Sequence, residues 1–167
     1  MTSDDLAAVV RDEYYMQLAL AEARQAQTLG EVPIGAVLVQ HRRVLARCGN
    51  RREFWQDPTA HAEQIVLREA ARRLGSWRLL DCTLYVTLEP CLMCMGAIVL
   101  ARVPRLVFGA RDPRVGAVGS VFNFAADPHL NHAVRVTEGV CGVECSEMLS
   151  AFFQQLRSRK KAAKFTP

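Results

Sequence analysis

The stretch Thr83-Leu-Tyr-Val-Thr-Leu-Glu-Pro-Cys91-Leu-Met-Cys94 begins in one secondary structure and ends in another. Residues 83–88 are β-branched or apolar and stop at Pro90, which reads as a strand. From Cys91 to Ala101 the composition turns helical, so the stretch is a strand feeding a helix. Cys91 and Cys94 then lie three apart in a first helical turn, on one face, where the positive end of the helix dipole favours thiolates.

A second helix opening stands upstream. Asp57-Pro58 supplies an N-cap and a first-turn proline, and an amphipathic run continues to Arg73 and ends at Gly75. His61 and Glu63 fall in the first turns of this helix. Residues two apart on a helix point about 200° away from each other, so His61 and Glu63 share a site only if the helix end faces it. The spacing therefore predicts a metal in front of two helix N-termini.

One imidazole (His61) and two thiolates (Cys91, Cys94) make three protein ligands, the pattern of a catalytic zinc with its fourth position open. Two thiolates cancel the formal charge of zinc, so such a metal acidifies water less than one held by three histidines and needs a base. Glu63 is the candidate, taking a proton from water and delivering it to the substrate. The alternative is a closed structural zinc completed by Cys48, Cys82, Cys141 or Cys145.

The surrounding pattern is alternating. Residues 5–29, with Tyr14, Leu18 and Ala21 at helical spacing, predict a first helix ended by Gly30. The apolar runs 34–39 and 44–48, separated by His41, Arg42 and Arg43, predict a hairpin. Residues 106–108 and 134–137 read as short strands on either side of a loop-rich stretch, 110–132. Residues 143–164 read as a closing helix that carries Phe152 and Phe153. This order predicts an α/β sandwich.

The 167 residues, half of them apolar with mean hydropathy +0.04, suit one domain over residues 1–167. No stretch approaches the roughly 18 apolar residues of a membrane span, and Asp4 and Asp5 stand where an export signal would be positive. A soluble, cytoplasmic protein is expected. The six cysteines then read as reduced thiols or metal ligands. Cys141 and Cys145, four apart with no histidine nearby, read as buried small apolar residues. The net charge of +4 is compatible with a polyanionic partner without requiring one.

Beyond the metal motifs, the chain carries Glu31-Val-Pro-Ile-Gly-Ala-Val37, Asn50, Asp57-Pro-Thr-Ala-His-Ala-Glu63, Phe108-Gly-Ala-Arg-Asp112 and Asn131-His132. In this combination it resembles the bacterial tRNA-specific adenosine deaminases. The H-x-E and P-C-x-x-C motifs belong to the wider cytidine-deaminase-like zinc enzymes. The resemblance runs from about Tyr14 to Phe153. It departs where Asp127 precedes Pro128, a position often histidine, and where Met95 replaces a frequent alanine.

The resemblance implies a three-layer α/β/α sandwich with a mixed five-stranded sheet, one zinc per subunit, and a homodimer. The implied reaction is hydrolytic deamination of the wobble adenosine in a tRNA anticodon stem-loop to inosine. By the same resemblance Asn50 hydrogen-bonds the base, Val32 and Leu88 line the pocket, and Asn131 and His132 touch the anticodon backbone. Arg111 and Asp112 follow a strand end, where Asp112 either accepts from a 2′-hydroxyl or caps a helix. Phe153 is a candidate stacking residue, and Arg157, Arg159, Lys160, Lys161 and Lys164 are candidate phosphate contacts. Trp55, Arg51 and Arg52 are read as rimming the pocket. The rival readings are a deaminase of free guanine or cytidine and a non-catalytic, zinc-stabilised RNA-binding module.

Overall fold

A computed structural model of the chain describes residues 2–163. Lys164, expected at the end of the last helix, lies outside the described residues. The chain opens with α1 (Ser3–Thr28), whose Thr2 and Asp5 form a reciprocal capping box. The buried face of α1 is Asp12, Tyr15, Met16, Ala19, Leu20, Ala23 and Ala26, while Tyr14 is 61% exposed and Ala21 faces solvent. The expected face is thus turned by one residue. An alanine-rich helix with apolar residues on several sides does not declare its inner stripe by spacing alone.

The hairpin β1 (Gly35–Gln40) and β2 (Arg43–Gly49) turns through His41 and Arg42, both at positive φ, as a two-residue loop requires. The one-turn helix α2 (Arg52–Trp55) follows, then α3 (Ala62–Leu74), capped at its C-terminus by Gly75 at φ +62°. Asp57 is not the N-cap of α3. Its carboxylate takes the N–H and hydroxyl of Thr59 in a local turn, and the chain re-enters helix only at His61.

The remaining elements are β3 (Cys82–Leu88), α4 (Leu92–Leu100), β4 (Arg105–Ala110), β5 (Arg135–Glu138) and α5 (Gly142–Ala163). The sheet order is β2-β1-β3-β4-β5, antiparallel through β3 and parallel from β3 to β5. The expected mixed five-stranded sandwich is what forms. Helices α1 and α5 cover one face around Val37, Tyr85, Val107 and Cys145, and α3 and α4 cover the other around Leu38, Val66, Ile98 and Phe108. Gly35 lets α1 lie against the sheet, since a Cβ there would sit 1.9 Å from the Ala19 carbonyl oxygen.

This topology fixes where the site falls. Parallel strands β3 and β4 end side by side, with Leu88 paired to Ala110. Ligands in such sheets bind beyond the carboxyl ends of the strands. The helices α3 and α4 begin at that edge.

Candidate metal centre and active-site cavity

His61 is the N-cap of α3 and Cys91 the N-cap of α4, both in extended backbone with no side-chain hydrogen bond to the helix end. Their side chains are thereby left to turn outward from the helix starts. His61 Nδ1 lies 3.8 Å from Cys91 Sγ and 3.5 Å from Cys94 Sγ. A tetrahedral zinc with ordinary bond lengths has N···S edges of about 3.6 Å, close to both of these distances, and the three donor atoms all lie within 4.8 Å of one another, so the residues fit zinc. Among the described residues, no other histidine, cysteine or carboxylate joins this group. Cys48, Cys82, Cys141 and Cys145 are free thiols elsewhere, so the site is open rather than closed.

A hydrogen bond from Cys94 brings the Cys91 thiol down to about 4, against burial and with help from His61. The same hydrogen bond, together with burial, pushes Cys94 far up. His61 is raised, chiefly by its contact with Cys91. A cation bound here would take the deprotonated form of each thiol and the neutral imidazole.

Glu63 is 4% exposed at the same helix start. Burial pushes its carboxyl above the ordinary range, against the attraction of His61. A carboxyl tuned upward and placed beside a metal-binding cluster has the character of a general acid and base.

His61 also lines an open cavity of about 1100 Å³. Its walls include Val32, Leu88, Asn50, Arg111, Asp112 and Phe153. Arg157 and Lys160 of α5 extend the lining, as does Arg52 of α2. Asn50 Oδ1 accepts from the Ala62 N–H at 2.9 Å, closing the start of α3. Asp112 is buried and its Oδ1 accepts from the Arg114 N–H at 2.9 Å, so it caps a turn rather than a helix. Arg111 is paired with Glu138 of β5 at 2.6 Å. The Arg114 guanidinium stands 5.5 Å above the Phe153 ring.

Asn131 and His132 do not join this cavity. Asn131 accepts from Arg102 at 2.6 Å, and His132 Nε2 donates to the Val103 carbonyl at 2.8 Å. The reason is topological. Because β4 and β5 are parallel, the loop between them must cross back to the other edge of the sheet, and these residues come just before β5. Trp55 likewise faces away, whereas Arg52 and Glu53 line the cavity. Cys145 is buried as expected, but Cys141 is only partly so and takes a left-handed φ of +52° just before α5.

Two further buried carboxylates, which the sequence did not single out, brace this end of the sheet. Glu89 accepts from the N–H groups of Asp112, Val118 and Ser120 at 3.0, 2.9 and 3.1 Å, and from the Ser120 hydroxyl. It pins the loop after β4 against the start of α4. Gly116 belongs to the same device, since a Cβ there would meet the Glu89 carboxyl at 2.4 Å. Glu31 accepts from the Phe54 N–H at 2.7 Å and so holds α2 in place. An acid directly before Pro90 in a strand-ending motif was the one available signal.

Residues 9–110 match the family model for the cytidine and deoxycytidylate deaminase zinc-binding region. A tRNA-specific adenosine deaminase of Bacillus subtilis (strain 168) is 52% identical over 93% of this chain and 97% of its own length. One from Haemophilus influenzae is 51% identical over 95% of this chain and 94% of its own. Among solved structures, one from work on A-to-I editing by tRNA:A34 deaminases superposes with a TM-score of 0.79 at 51% identity, covering 81% of this chain and 99% of that one. A guanine deaminase from Nitrosomonas europaea superposes with a TM-score of 0.70 at 25% identity, covering 84% and 83%.

Proposed function

The chain belongs to the zinc-dependent cytidine and deoxycytidylate deaminase family, in its tRNA-specific adenosine deaminase branch, and from that membership we propose how its residues convert a wobble adenosine to inosine. The observation that carries the reading is the convergence of His61, Cys91 and Cys94, with buried Glu63, behind a large cavity lined by arginine and lysine. At about 1100 Å³ the cavity is at or above the upper end of pockets that enclose a drug-sized ligand, roughly 300–1,000 Å³. An open, basic site of that size suits a base presented on an RNA strand better than free guanine or cytidine.

His61, Cys91 and Cys94 hold the zinc, which supplies Lewis acidity toward a water molecule. Glu63 accepts a proton from the attacking water and hands it to ring nitrogen N1, then takes the second proton from the new C6 hydroxyl and delivers it to the departing amine as the C6–N bond breaks. Adenosine and water thus give inosine and ammonia. Asn50, whose Oδ1 is held by Ala62, offers its amide donors to the base, and Val32 and Leu88 sandwich the ring. Phe153 stacks, Arg111 attracts phosphate, and Asp112 faces the ribose, with Arg157 and Lys160 beyond them. Contacts from Asn131 or His132 reach the RNA only from outside this cavity.

A homodimer is part of the reading. Leu92, Val115, Val121 and Phe122 are exposed around the Cys91–Gly116 bridge, an apolar cluster suited to a second copy. Among the described residues no helix is long and apolar enough to cross a membrane. A tRNA substrate and six unpaired thiols fit a cytoplasmic enzyme.

The test is incubation of zinc-loaded protein with an anticodon stem-loop bearing wobble adenosine, beside free guanine and free cytidine. Inosine from the stem-loop, with the free compounds untouched, is expected. Deamination of guanine or cytidine alone would overturn the RNA reading.

A further inference from the structure

A second cavity, of about 430 Å³, lies between the exposed edge strand β2 and the outer face of α3. Trp55, Arg47, Arg68 and Arg72 line it, with Cys48 and Ile65 among its apolar walls. The four-residue helix α2 separates it from the active-site cavity: Arg52 and Glu53 face one, Trp55 the other. Trp55 is half exposed, so its indole is accessible at the mouth of this cavity.

The charges are arranged for an anion. Arg68 and Arg72 stand four apart on α3, where like charges repel and weaken a helix. Neither has a carboxylate in hydrogen-bonded contact among the described residues. Arg68 Nε donates to the Gln64 carbonyl, and Glu69, the one acid of the lining, is taken by Arg73 at 2.7 Å. Asp57, whose charge reaches Arg68, is engaged by Thr59. Arg47 is shared with Glu22 across a 3.2 Å pair in which the arginine is 55% exposed.

A flat aromatic face beside three guanidinium groups, in a cavity of nucleotide size, matches a base with its phosphate. We propose that this cavity is a second nucleotide subsite, which takes an unstacked nucleotide of the same RNA whose adenosine enters the active-site cavity. The proposal rests on the RNA reading above. Its place across α2 means a strand leaving the active site passes over Arg52 and reaches Trp55. The base stacks on the indole, and Arg68 and Arg72 grip the phosphate.

The experiment uses the zinc-loaded full chain with Trp77→Phe, so that Trp55 is the remaining indole. Titration with the anticodon stem-loop should quench Trp55 fluorescence. Trp55→Ala and the double variant Arg68→Gln/Arg72→Gln should each raise KM for the stem-loop about tenfold, with kcat at saturation unchanged. The double variant should also flatten the salt dependence of binding. Both variants should retain zinc and the sedimentation behaviour of the parent.

Unchanged KM and no quenching, with inosine still formed, would overturn the subsite alone. Quenching by AMP with stem-loop kinetics unaffected would make it a site for a free nucleotide and overturn it too. A change of oligomeric state in the variants would give the surface to a copy of the chain instead. Absence of inosine with the parent protein would overturn the RNA reading, and the subsite with it.

Discussion

Asn50 and Ala62 are joined by a 2.9 Å hydrogen bond from the Ala62 N–H to the Asn50 side-chain oxygen, so a residue lining the cavity also closes the helix that carries Glu63. The two roles use different atoms and are separable.

Asn50→Asp keeps an acceptor for Ala62 and loses the amide donor. We expect a melting temperature near the parent's and kcat/KM for the stem-loop reduced by about 10²-fold, as when one positioned donor is lost. Asn50→Ala loses both functions and should cost about 1 kcal/mol in addition. Thermal melts beside initial rates distinguish the pair.

Cys91→Ala removes one of three metal ligands. Zinc content per subunit, measured on purified protein, should fall from one toward zero, and activity should go with it. Cys48→Ala, at a thiol outside the cluster, should leave zinc content unchanged.

Glu89 gathers three backbone N–H groups and one hydroxyl beneath the loop that carries Asp112. Glu89→Gln replaces two acceptor oxygens with one acceptor and one donor. The cost should be about 2 kcal/mol in denaturant unfolding, since hydrogen bonds to a charged group are stronger than neutral ones. KM for RNA should rise more than kcat falls.

Asp12 stands on the buried face of α1, ion-paired to Arg105 at 2.6 Å and hydrogen-bonded by Tyr85 at 2.9 Å. Burial works to raise its carboxyl, but the hydrogen bonds and the guanidinium charge outweigh it and hold it below its usual 3.8. A carboxyl lowered on folding stabilises the fold above its unfolded value, about pH 4, and that contribution is lost as pH falls through the folded value. Asp12→Asn breaks a largely buried ion pair and should cost about 3 kcal/mol at pH 7; because the lowered carboxyl is gone, melting of the variant should depend less on pH below about 4 than that of the parent.

The sequence made the site legible because its parts are local: the ligand His61 and the acid Glu63 are two apart and the ligands Cys91 and Cys94 three apart, each at the start of a periodic run. The sheet was legible for the same reason, since each strand carried its own β-branched run and stop signal. What escaped were long-range relations. Asp57-Pro58 has the form of a helix cap, and only the tertiary demand that α3 begin at His61 turns it into a separate turn. The buried face of α1 is set by contact with β1 at Gly35, not by its own periodicity. The distance of Asn131 and His132 from the cavity follows from the parallel pairing of β4 with β5, and the acceptor role of Glu89 from a loop more than 20 residues further on.

Everything proposed for the reaction converges on the buried carboxylate beside the metal cluster. Glu63→Gln, assayed for bound zinc and for inosine formed from the anticodon stem-loop under single-turnover conditions, is the most direct measurement. We expect one zinc per subunit, an intact fold, and a rate reduced by at least about 10³-fold. Near-parental inosine formation by the zinc-loaded variant would contradict the assignment of Glu63 as the group that moves the protons.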